Sequence, residues 1–234
     1  VPLSVVAEAK RRGLTTIDAT CPLVEKVHRE ARKNFEQGRK TLLIGHQGHP
    51  EVIGTMGQIP AGEIKLISTV DDISTVPDAW ADRLGYVTQT TLSLDETAEL
   101  LQALRARFPN ILKPHQNDIC YATTNRQKAV KAIAAKCDLL MVIGSPNSSN
   151  SKRLVEVAKE AGCPCSVLVQ TAGEIDWDKL ADVHTLGITA GASAPEVLVR
   201  EVIEELEKHF KITLSEHVET EEKVAFPLPE SLRK

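Results

Sequence analysis

One segment of the chain runs from an apolar stretch through a polar turn to the start of a helix: Thr41-Leu42-Leu43-Ile44-Gly45-His46-Gln47-Gly48-His49-Pro50-Glu51. Residues 41–45 form a short apolar run of the kind found in buried parallel strands. Pro50 suits a first helical turn, because the N–H that proline lacks would have no helical partner there. Comparable runs alternate with helical patterns along the chain. This alternation predicts βα units around parallel sheets.

The apolar runs and the helix-start residues predict the individual elements. Helices are predicted to begin at Pro22 and at two capping boxes, Ser93 with Glu96 and Thr124 with Gln127. Strands are predicted at residues 15–18, 41–45, 63–68, 84–89, 138–144, 165–170 and 185–189.

Cys21 and Cys120 occupy equivalent positions in a coarse internal repeat. Each lies just before a predicted helix, and a glycine at the end of a predicted strand, Gly45 or Gly144, follows 24 residues later. We therefore predict an α/β fold of repeated small parallel-sheet αβα domains, two of an expected three, around a central site. The predicted boundaries are 1–20 for a remnant of the first domain, 21–116 for the second, 117–210 for the third and 211–234 for a C-terminal tail.

Composition limits the classes of partner and compartment. The formal net charge is -4 and there is no basic run, which argues against nucleic acid as the main partner. No apolar stretch approaches the roughly 18 residues of a membrane span. Five cysteines, an odd number, favour thiols or metal ligands over a disulfide framework. We expect a cytoplasmic protein with a small-molecule ligand and no membrane partner.

Polar segments follow several predicted strand ends, at residues 45–51, 88–91, 144–150 and 189–193. Ligands of parallel sheets bind at the carboxyl ends of strands, where helix N-termini offer N–H groups to anions. Hydroxyls and amides in these loops suit phosphate oxygens. The alternative is that they are ordinary helix caps, but the run Ser148-Ser149-Asn150 is richer than a cap requires and favours an oxyanion site.

The cysteines have two interpretations. Cys21 and Cys120 lie at equivalent strand–helix turns, where two thiolates could hold a soft metal centre. Cys137, Cys163 and Cys165 flank or begin strands and are interpreted as small buried side chains. Sequence spacing leaves open whether the first two meet.

His49 and Glu51 flank Pro50 at a predicted helix start. An imidazole and a carboxyl group placed there could supply a hydrogen bond and a proton to a reacting oxygen. The alternative is a first-turn glutamate favoured by the helix dipole beside a solvent-facing histidine.

Together these motifs form a set. In chain order they are DATCPLV (18–24), GHQGHPE (45–51) with GTMGQ (54–58), TQTTLS (88–93), DICYATTNRQ (118–127), GS (144–145) with NSSNS (147–151), and GITAGASAP (187–195). This set resembles the 4-hydroxy-3-methylbut-2-enyl diphosphate reductase family, also called LytB or IspH.

The resemblance implies an iron-sulfur oxidoreductase of the non-mevalonate (MEP) isoprenoid pathway. Its final step removes the hydroxyl of 4-hydroxy-3-methylbut-2-enyl diphosphate and yields isopentenyl and dimethylallyl diphosphate. It implies three α/β domains around a 4Fe-4S cluster held by one cysteine from each domain. A ferredoxin or flavodoxin is the implied electron donor.

Carried onto this sequence, the resemblance implies a role for each matching residue. Cys21 and Cys120 are the implied metal ligands, and Glu51 is the implied proton donor. The implied substrate-binding residues are His49, Thr90, Thr123, Ser148, Ser149, Asn150 and Ser193.

The sequence also departs from the family pattern. The region that brings the family's first cluster cysteine and two further histidines has no match here, and Cys137, Cys163 and Cys165 do not fall in the ligand motifs. We therefore expect the chain by itself to hold a cluster poorly and to turn over little or not at all. The alternative function is a metal-free phosphometabolite-binding α/β protein.

Overall fold

The computed structural model describes residues 1–222, 224–228 and 232. They form two compact units. The first comprises Val1–Cys120 with the described residues at the C-terminal end of the chain, and the second comprises Tyr121–Glu222. Part of the predicted tail, residues 223, 229–231, 233 and 234, lies outside the described residues. The domain boundaries proposed from the sequence stay a prediction.

The first unit contains a three-stranded parallel sheet in the order β2-β1-β3. Short 3-10 helices, Asp71–Thr75 and Asp78–Arg83, precede its third strand. Its main elements are α1 (Leu3–Arg11), α2 (Pro22–Glu36), β1 (Lys40–Ile44), α3 (Pro50–Met56), β2 (Ile64–Ile67), β3 (Leu84–Thr88) and α4 (Leu94–Arg107).

Alternation along β1 explains how this sheet is covered on both faces. Leu42 and Ile44 pack into a cluster that includes residues of α4, whereas Leu43 packs with Val27 of α2 and Val52 of α3. Because successive side chains of a strand point to opposite faces, an apolar run is needed when both faces are buried.

The second unit repeats this plan, with a parallel sheet in the order β5-β4-β6. Its 3-10 helices are Ala172–Glu174 and Trp177–Leu180. Its main elements are α5 (Tyr121–Ala134), β4 (Leu139–Ile143), α6 (Ser149–Glu160), β5 (Cys165–Val169), β6 (Leu186–Ala190) and α7 (Glu196–His209). In each unit the first strand along the chain is central, as expected for the internal repeat.

Two predicted elements were wrong. Residues 15–18 form no strand, because no described strand pairs with them and Ile17 is 51% exposed. Thr124 does not cap a helix, because α5 already begins at Tyr121. The capping box at Ser93 is confirmed, since its hydroxyl accepts from the N–H of Glu96.

The described residues after α7 have no core of their own. Residues 211–222 are exposed, although Lys211–Leu214 help to line a cavity of about 480 Å³ against α7 and β6. Among the described helices, none is long and apolar enough to cross a bilayer.

Candidate active site

Glu51 and Thr90 meet at the carboxyl edge of the first sheet. Glu51 lies in the first turn of α3, after β1, and Thr90 follows β3, which pairs directly with β1. The backbone N–H of Thr90 donates to Glu51 Oε1 over 2.8 Å, and the Thr90 hydroxyl lies 2.9 Å from Oε2. Burial outweighs these contacts and raises the pKa of Glu51 to about 7. The carboxyl group can therefore hold a proton near neutral pH and release it.

His49 is the N-cap residue of α3. Its Nδ1 accepts from the backbone N–H of Glu51 over 3.2 Å, which leaves Nε2 to carry the ring proton. Burial, and to a smaller extent His46, holds the pKa of His49 below its usual value. The half-buried ring is therefore a neutral hydrogen-bond donor through Nε2.

Gln89 links the segment that follows β1 to the segment that follows β3. It is fully buried, its Oε1 accepts from the N–H of His46 over 3.0 Å, and its Nε2 donates to the Thr91 hydroxyl over 2.8 Å. Gly45 makes room for it and for Val52, because a Cβ there would stand 3.1 Å from Gln89 Oε1 and 2.7 Å from Val52 Cγ2. This role was not predicted from the sequence, although Gln89 is a polar residue at the end of an apolar run.

The two candidate metal ligands stand at helix starts. Cys21 is the N-cap residue of α2 and is exposed, and Cys120 immediately precedes α5 and is half-buried. Neither is in a disulfide. The backbone N–H of Cys120 donates to the carbonyl of Thr90 over 3.0 Å, which connects Cys120 to the hydrogen-bond partner of Glu51.

Lys26 and Asp118 connect the surroundings of the two cysteines. Lys26 Nζ lies 2.9 Å from Asp118 Oδ1, and the other carboxylate oxygen accepts from the N–H of Thr88 over 2.9 Å. Burial raises the pKa of Asp118 despite the nearby Lys26. Neither residue was assigned a role from sequence, because their separation of 92 residues makes the contact invisible to local patterns.

In the second unit, three successive polar residues begin α6, directly after β4. The Ser148 hydroxyl caps the helix by accepting from the N–H of Ser151 over 3.2 Å. Asn150 is only 6% exposed, and its Oδ1 and Nδ2 have no hydrogen-bond partner among the described residues. Ser149 is half-buried. Because buried polar groups are normally satisfied, the Asn150 side chain indicates a missing ligand or water.

Ser193 follows β6, which pairs with β4 at the same edge. The side chain is exposed. The two loops of this unit are packed closely, since a Cβ on either Gly144 or Gly191 would overlap the Ser151 hydroxyl. Thr123, by contrast, is fully buried within α5.

The chemistry of the donor set fits an iron-sulfur cluster in part. Cys21 and Cys120 are soft sulfur donors of the kind that bind iron-sulfur clusters, and both stand at helix N-termini. No group of three or more His, Cys, Asp or Glu side chains in the described ranges is placed to hold a metal ion. Cys137 and Cys163 are buried, and burial raises the pKa of both thiols. Of the described cysteines, Cys21 and Cys120 are therefore the two that stand at the predicted ligand positions.

Comparison with known proteins shows the family of the chain. The family model described as LytB protein matches residues 1–207 of the 234-residue chain. The chain belongs to the LytB family. Over its whole length it is 55% identical to a LytB relative of Roseobacter denitrificans, the protein named 4-hydroxy-3-methylbut-2-enyl diphosphate reductase, of which it covers 74%. It is 56% identical to the protein of the same name from Cereibacter sphaeroides, of which it covers 73%.

Solved structures confirm the predicted α/β fold. The chain resembles the E-1-hydroxy-2-methyl-but-2-enyl-4-diphosphate reductase of Plasmodium falciparum with a TM-score of 0.93 and 36% identity, over 99% of this chain and 73% of that one. A second structure is described as (E)-4-hydroxy-3-methyl-but-2-enyl diphosphate reductase, the terminal enzyme of the non-mevalonate pathway. It gives a TM-score of 0.57 at 32% identity, over 89% of this chain and 73% of that one.

Proposed function

We propose that this chain functions in the reductive removal of the hydroxyl of 4-hydroxy-3-methylbut-2-enyl diphosphate. The alcohol, two electrons and two protons give the alkenyl diphosphate, as isopentenyl or dimethylallyl diphosphate, and water. The observation that carries the proposal is the Glu51 carboxyl group, bonded to Thr90 and with its pKa raised to about 7. A protonated carboxyl of this kind is what a departing hydroxyl needs, because hydroxide is a poor leaving group.

Glu51 is the proton donor in this proposal. When it is protonated, Oε2 can donate to the Thr90 hydroxyl, whose own proton is then free to turn away from the carboxyl group. Thr90 thereby passes the proton towards the substrate oxygen and helps to hold the substrate. Transfer starts from a group whose pKa is close to neutral pH, which is the favourable range for general acid catalysis.

The family uses a 4Fe-4S cluster, and we propose Cys21 and Cys120 as two of its ligands in this chain. Such a cluster supplies the electrons when bound, which side chains do not. The resemblance places a third cysteine ligand in a domain preceding residue 1. Cys137 and Cys163 belong to a hydrophobic cluster of the second unit and are not proposed as replacements.

The diphosphate ligands are proposed for each unit separately. In the first unit, His49 offers Nε2–H to a phosphate oxygen, because its Nδ1 is occupied by the Glu51 N–H. In the second unit, Ser148, Ser149, Asn150 and Ser193 offer hydroxyl and amide donors at the start of α6 and after β6. Thr123 is proposed as a further substrate-binding residue. It is fully buried, so the substrate could contact it only after neighbouring residues move.

The remaining partners follow from the resemblance. We propose a ferredoxin or flavodoxin as the electron donor and the cytoplasm as the compartment, in keeping with the reduced thiols that cluster ligation needs.

The deciding experiment restores the family's first domain upstream and purifies the protein without oxygen. Iron, sulfide and substrate-dependent oxidation of a reduced dye are measured for the parent, Cys21→Ser, Cys120→Ser and Glu51→Gln. We expect iron and turnover to fall in both cysteine variants, and turnover alone to fall in Glu51→Gln. Iron and turnover retained by both cysteine variants would refute the ligand assignment.

The alternative is a metal-free phosphometabolite-binding protein, supported by the Asn150 side chain at the start of α6. Parent protein that binds diphosphates but contains no iron would favour it over the reductase.

A further inference from the structure

The first unit has a cavity at the edge of its sheet opposite to Glu51 and Thr90. Its volume is about 300 Å³, and it lies between α2, β3 and the segment 112–115. Leu112 holds that segment against the start of β3, since its N–H donates to Leu84 and its carbonyl accepts from Tyr86. Arg39, another lining residue, directly precedes β1. The cavity is therefore at the amino ends of strands whose carboxyl ends carry the proposed catalytic residues.

Positive charge dominates the lining of this cavity. Lys33, Arg39 and Lys113 contribute to it, and among the described residues none of the three forms an ion pair. Glu30 is the only carboxylate among the lining residues, and it accepts from the backbone N–H of His115. Three cations around one small cavity therefore lack a protein counterion.

Arg39 gives the most specific indication of a ligand. Its Nε is buried and has no hydrogen-bond partner among the described residues. Leaving such a donor unsatisfied is costly, so a buried and unused guanidinium N–H calls for an acceptor. The planar guanidinium presents its donors as a fork that matches phosphate oxygens, and the two lysines add charge at the same cavity.

Besides the cations and polar residues such as Asn34 and Gln37, the lining has an apolar part. Tyr86, Leu112 and Pro114 contribute to the same cavity as the cations. A volume of about 300 Å³ is at the small end of ordinary ligand pockets. This size excludes a macromolecule inside the cavity and suits a short ligand with one charged and one apolar end.

We propose that this cavity is a second anion site, which binds a small alkyl diphosphate through Arg39, Lys33 and Lys113 with its alkyl group against Leu112 and Pro114. The site is separate from the loops proposed to bind substrate. It does not depend on the reductase activity, because a metal-free binding protein would have the same cavity.

Calorimetric titration of the metal-free chain with isopentenyl diphosphate tests the proposal. A Ser148→Ala/Asn150→Ala background reduces binding at the loops of the second unit, and we expect one saturable site to remain. Adding Lys33→Gln/Lys113→Gln should weaken that site at least tenfold, because both lost contacts are charge-assisted. Both lysines are exposed, so the fold should not be affected.

Lys128→Gln/Lys136→Gln is the matched control, since these exposed lysines lie in the second unit and give the same change in net charge. It should leave binding unchanged. Arg39→Lys keeps the charge but loses the fork, and should also weaken binding. The proposal is overturned if the background variant shows no saturable site, or if the lysine pair and the control pair have equal effects. If inorganic pyrophosphate binds as tightly as isopentenyl diphosphate, the proposed contact of the alkyl group with Leu112 and Pro114 is wrong.

These outcomes are distinguishable from those for the reductase, because they are read from binding by the metal-free chain and the reductase is tested by iron and turnover.

Discussion

Lys26 Nζ and Asp118 Oδ1 are 2.9 Å apart, with Asp118 fully enclosed and the Lys26 side chain 15% exposed. Lys26 also donates to the carbonyls of Gln116 and Asn117. The lysine is on the helix that begins after Cys21, and the aspartate lies two residues before Cys120. Lys26 lies on the helix that follows Cys21, and it therefore fixes the backbone that leads to Cys120, the other proposed cluster ligand.

Lys26→Met should destabilise the chain by about 3 kcal/mol, since it leaves a buried carboxylate without its cation. Urea denaturation measures this, and the protein with its first domain restored should also retain less iron. Lys208→Met is the matched control, because Lys208 pairs with Glu205 on the surface and should give no measurable loss. Equal losses for the two variants would contradict the structural role of Lys26.

Glu51→Gln should abolish most turnover while leaving the iron content unchanged, because the amide preserves shape but has no acidic proton. In the parent, turnover should decline as pH rises above about 7, since Glu51 then loses its proton. Steady-state rates between pH 6 and 9, with iron analysis at each pH, measure both. Unchanged turnover in Glu51→Gln would exclude this carboxyl group as the proton donor.

The same carboxyl group makes the stability of the fold depend on pH. Its pKa is raised in the folded chain, from 4.5 to about 7, so the folded state binds the proton more tightly than the unfolded state does. The contribution of Glu51 to the free energy of unfolding is therefore fully present below about pH 4.5 and is lost as pH rises through about 7. After allowance for partial exposure, Glu51→Gln should gain about 2 kcal/mol over the parent at pH 8.

Denaturation of both proteins at pH 5 and pH 8 measures that difference. Glu207→Gln, which removes an exposed carboxylate on α7, is the control for the loss of one negative charge. A difference between parent and Glu51→Gln that is the same at both pH values would show that burial does not perturb this group.

Gly144→Ala should destabilise the second unit by about 1–3 kcal/mol, because the added Cβ overlaps the Ser151 hydroxyl in a tightly packed place. Thermal unfolding should show the loss, and adding Ser151→Gly should restore part of it. Gly173→Ala is the control, since its Cβ would meet no atom closer than 3.9 Å. Failure of the double variant to recover stability would mean that another contact limits the loop.

Asn150→Ala should weaken diphosphate binding by about tenfold or more, since a hydrogen bond to a charged group is worth about 1.5–3 kcal/mol. The stability of the ligand-free chain should change little, because the side-chain amide has no partner to lose. Calorimetry with inorganic pyrophosphate and a melting curve measure the two effects. Asn147→Ala removes an exposed amide from the same loop and should leave binding intact.

The regular elements were largely predictable from the sequence because their causes are local. The apolar run 41–45 became β1 at Lys40–Ile44, and Pro22 begins α2 as expected. Residues 15–18 show the limit, since a β-rich pattern becomes a strand only where a partner backbone is available. At Thr124, a capping pattern inside a helix could not be distinguished from one at its start.

The polar loops could be predicted to lie at the carboxyl edges of the sheets, because parallel strands bring their carboxyl ends to one edge; their role in ligand binding stays a prediction. The hydrogen bonds and ion pairs that hold these loops in place could not be predicted. These contacts join distant parts of the chain, as between Gln89 and His46 and between Lys26 and Asp118. The residues next to each of them in the sequence do not indicate such a contact. The raised pKa of Glu51 likewise depends on burial that only the folded sheet provides.

In the first unit β1 pairs directly with β3, and in the second unit β4 pairs directly with β6. Each pairing fixes the distance between the loops that follow the two strands. The spacing of the loops that carry Glu51 and Thr90 is set by main-chain hydrogen bonds, which are the same for every side chain. Core side chains in these strands can therefore be replaced over generations at the expense of thermal stability, while the separation of the two loops stays constant. Selection on the chemistry and selection on the packing are thereby largely uncoupled.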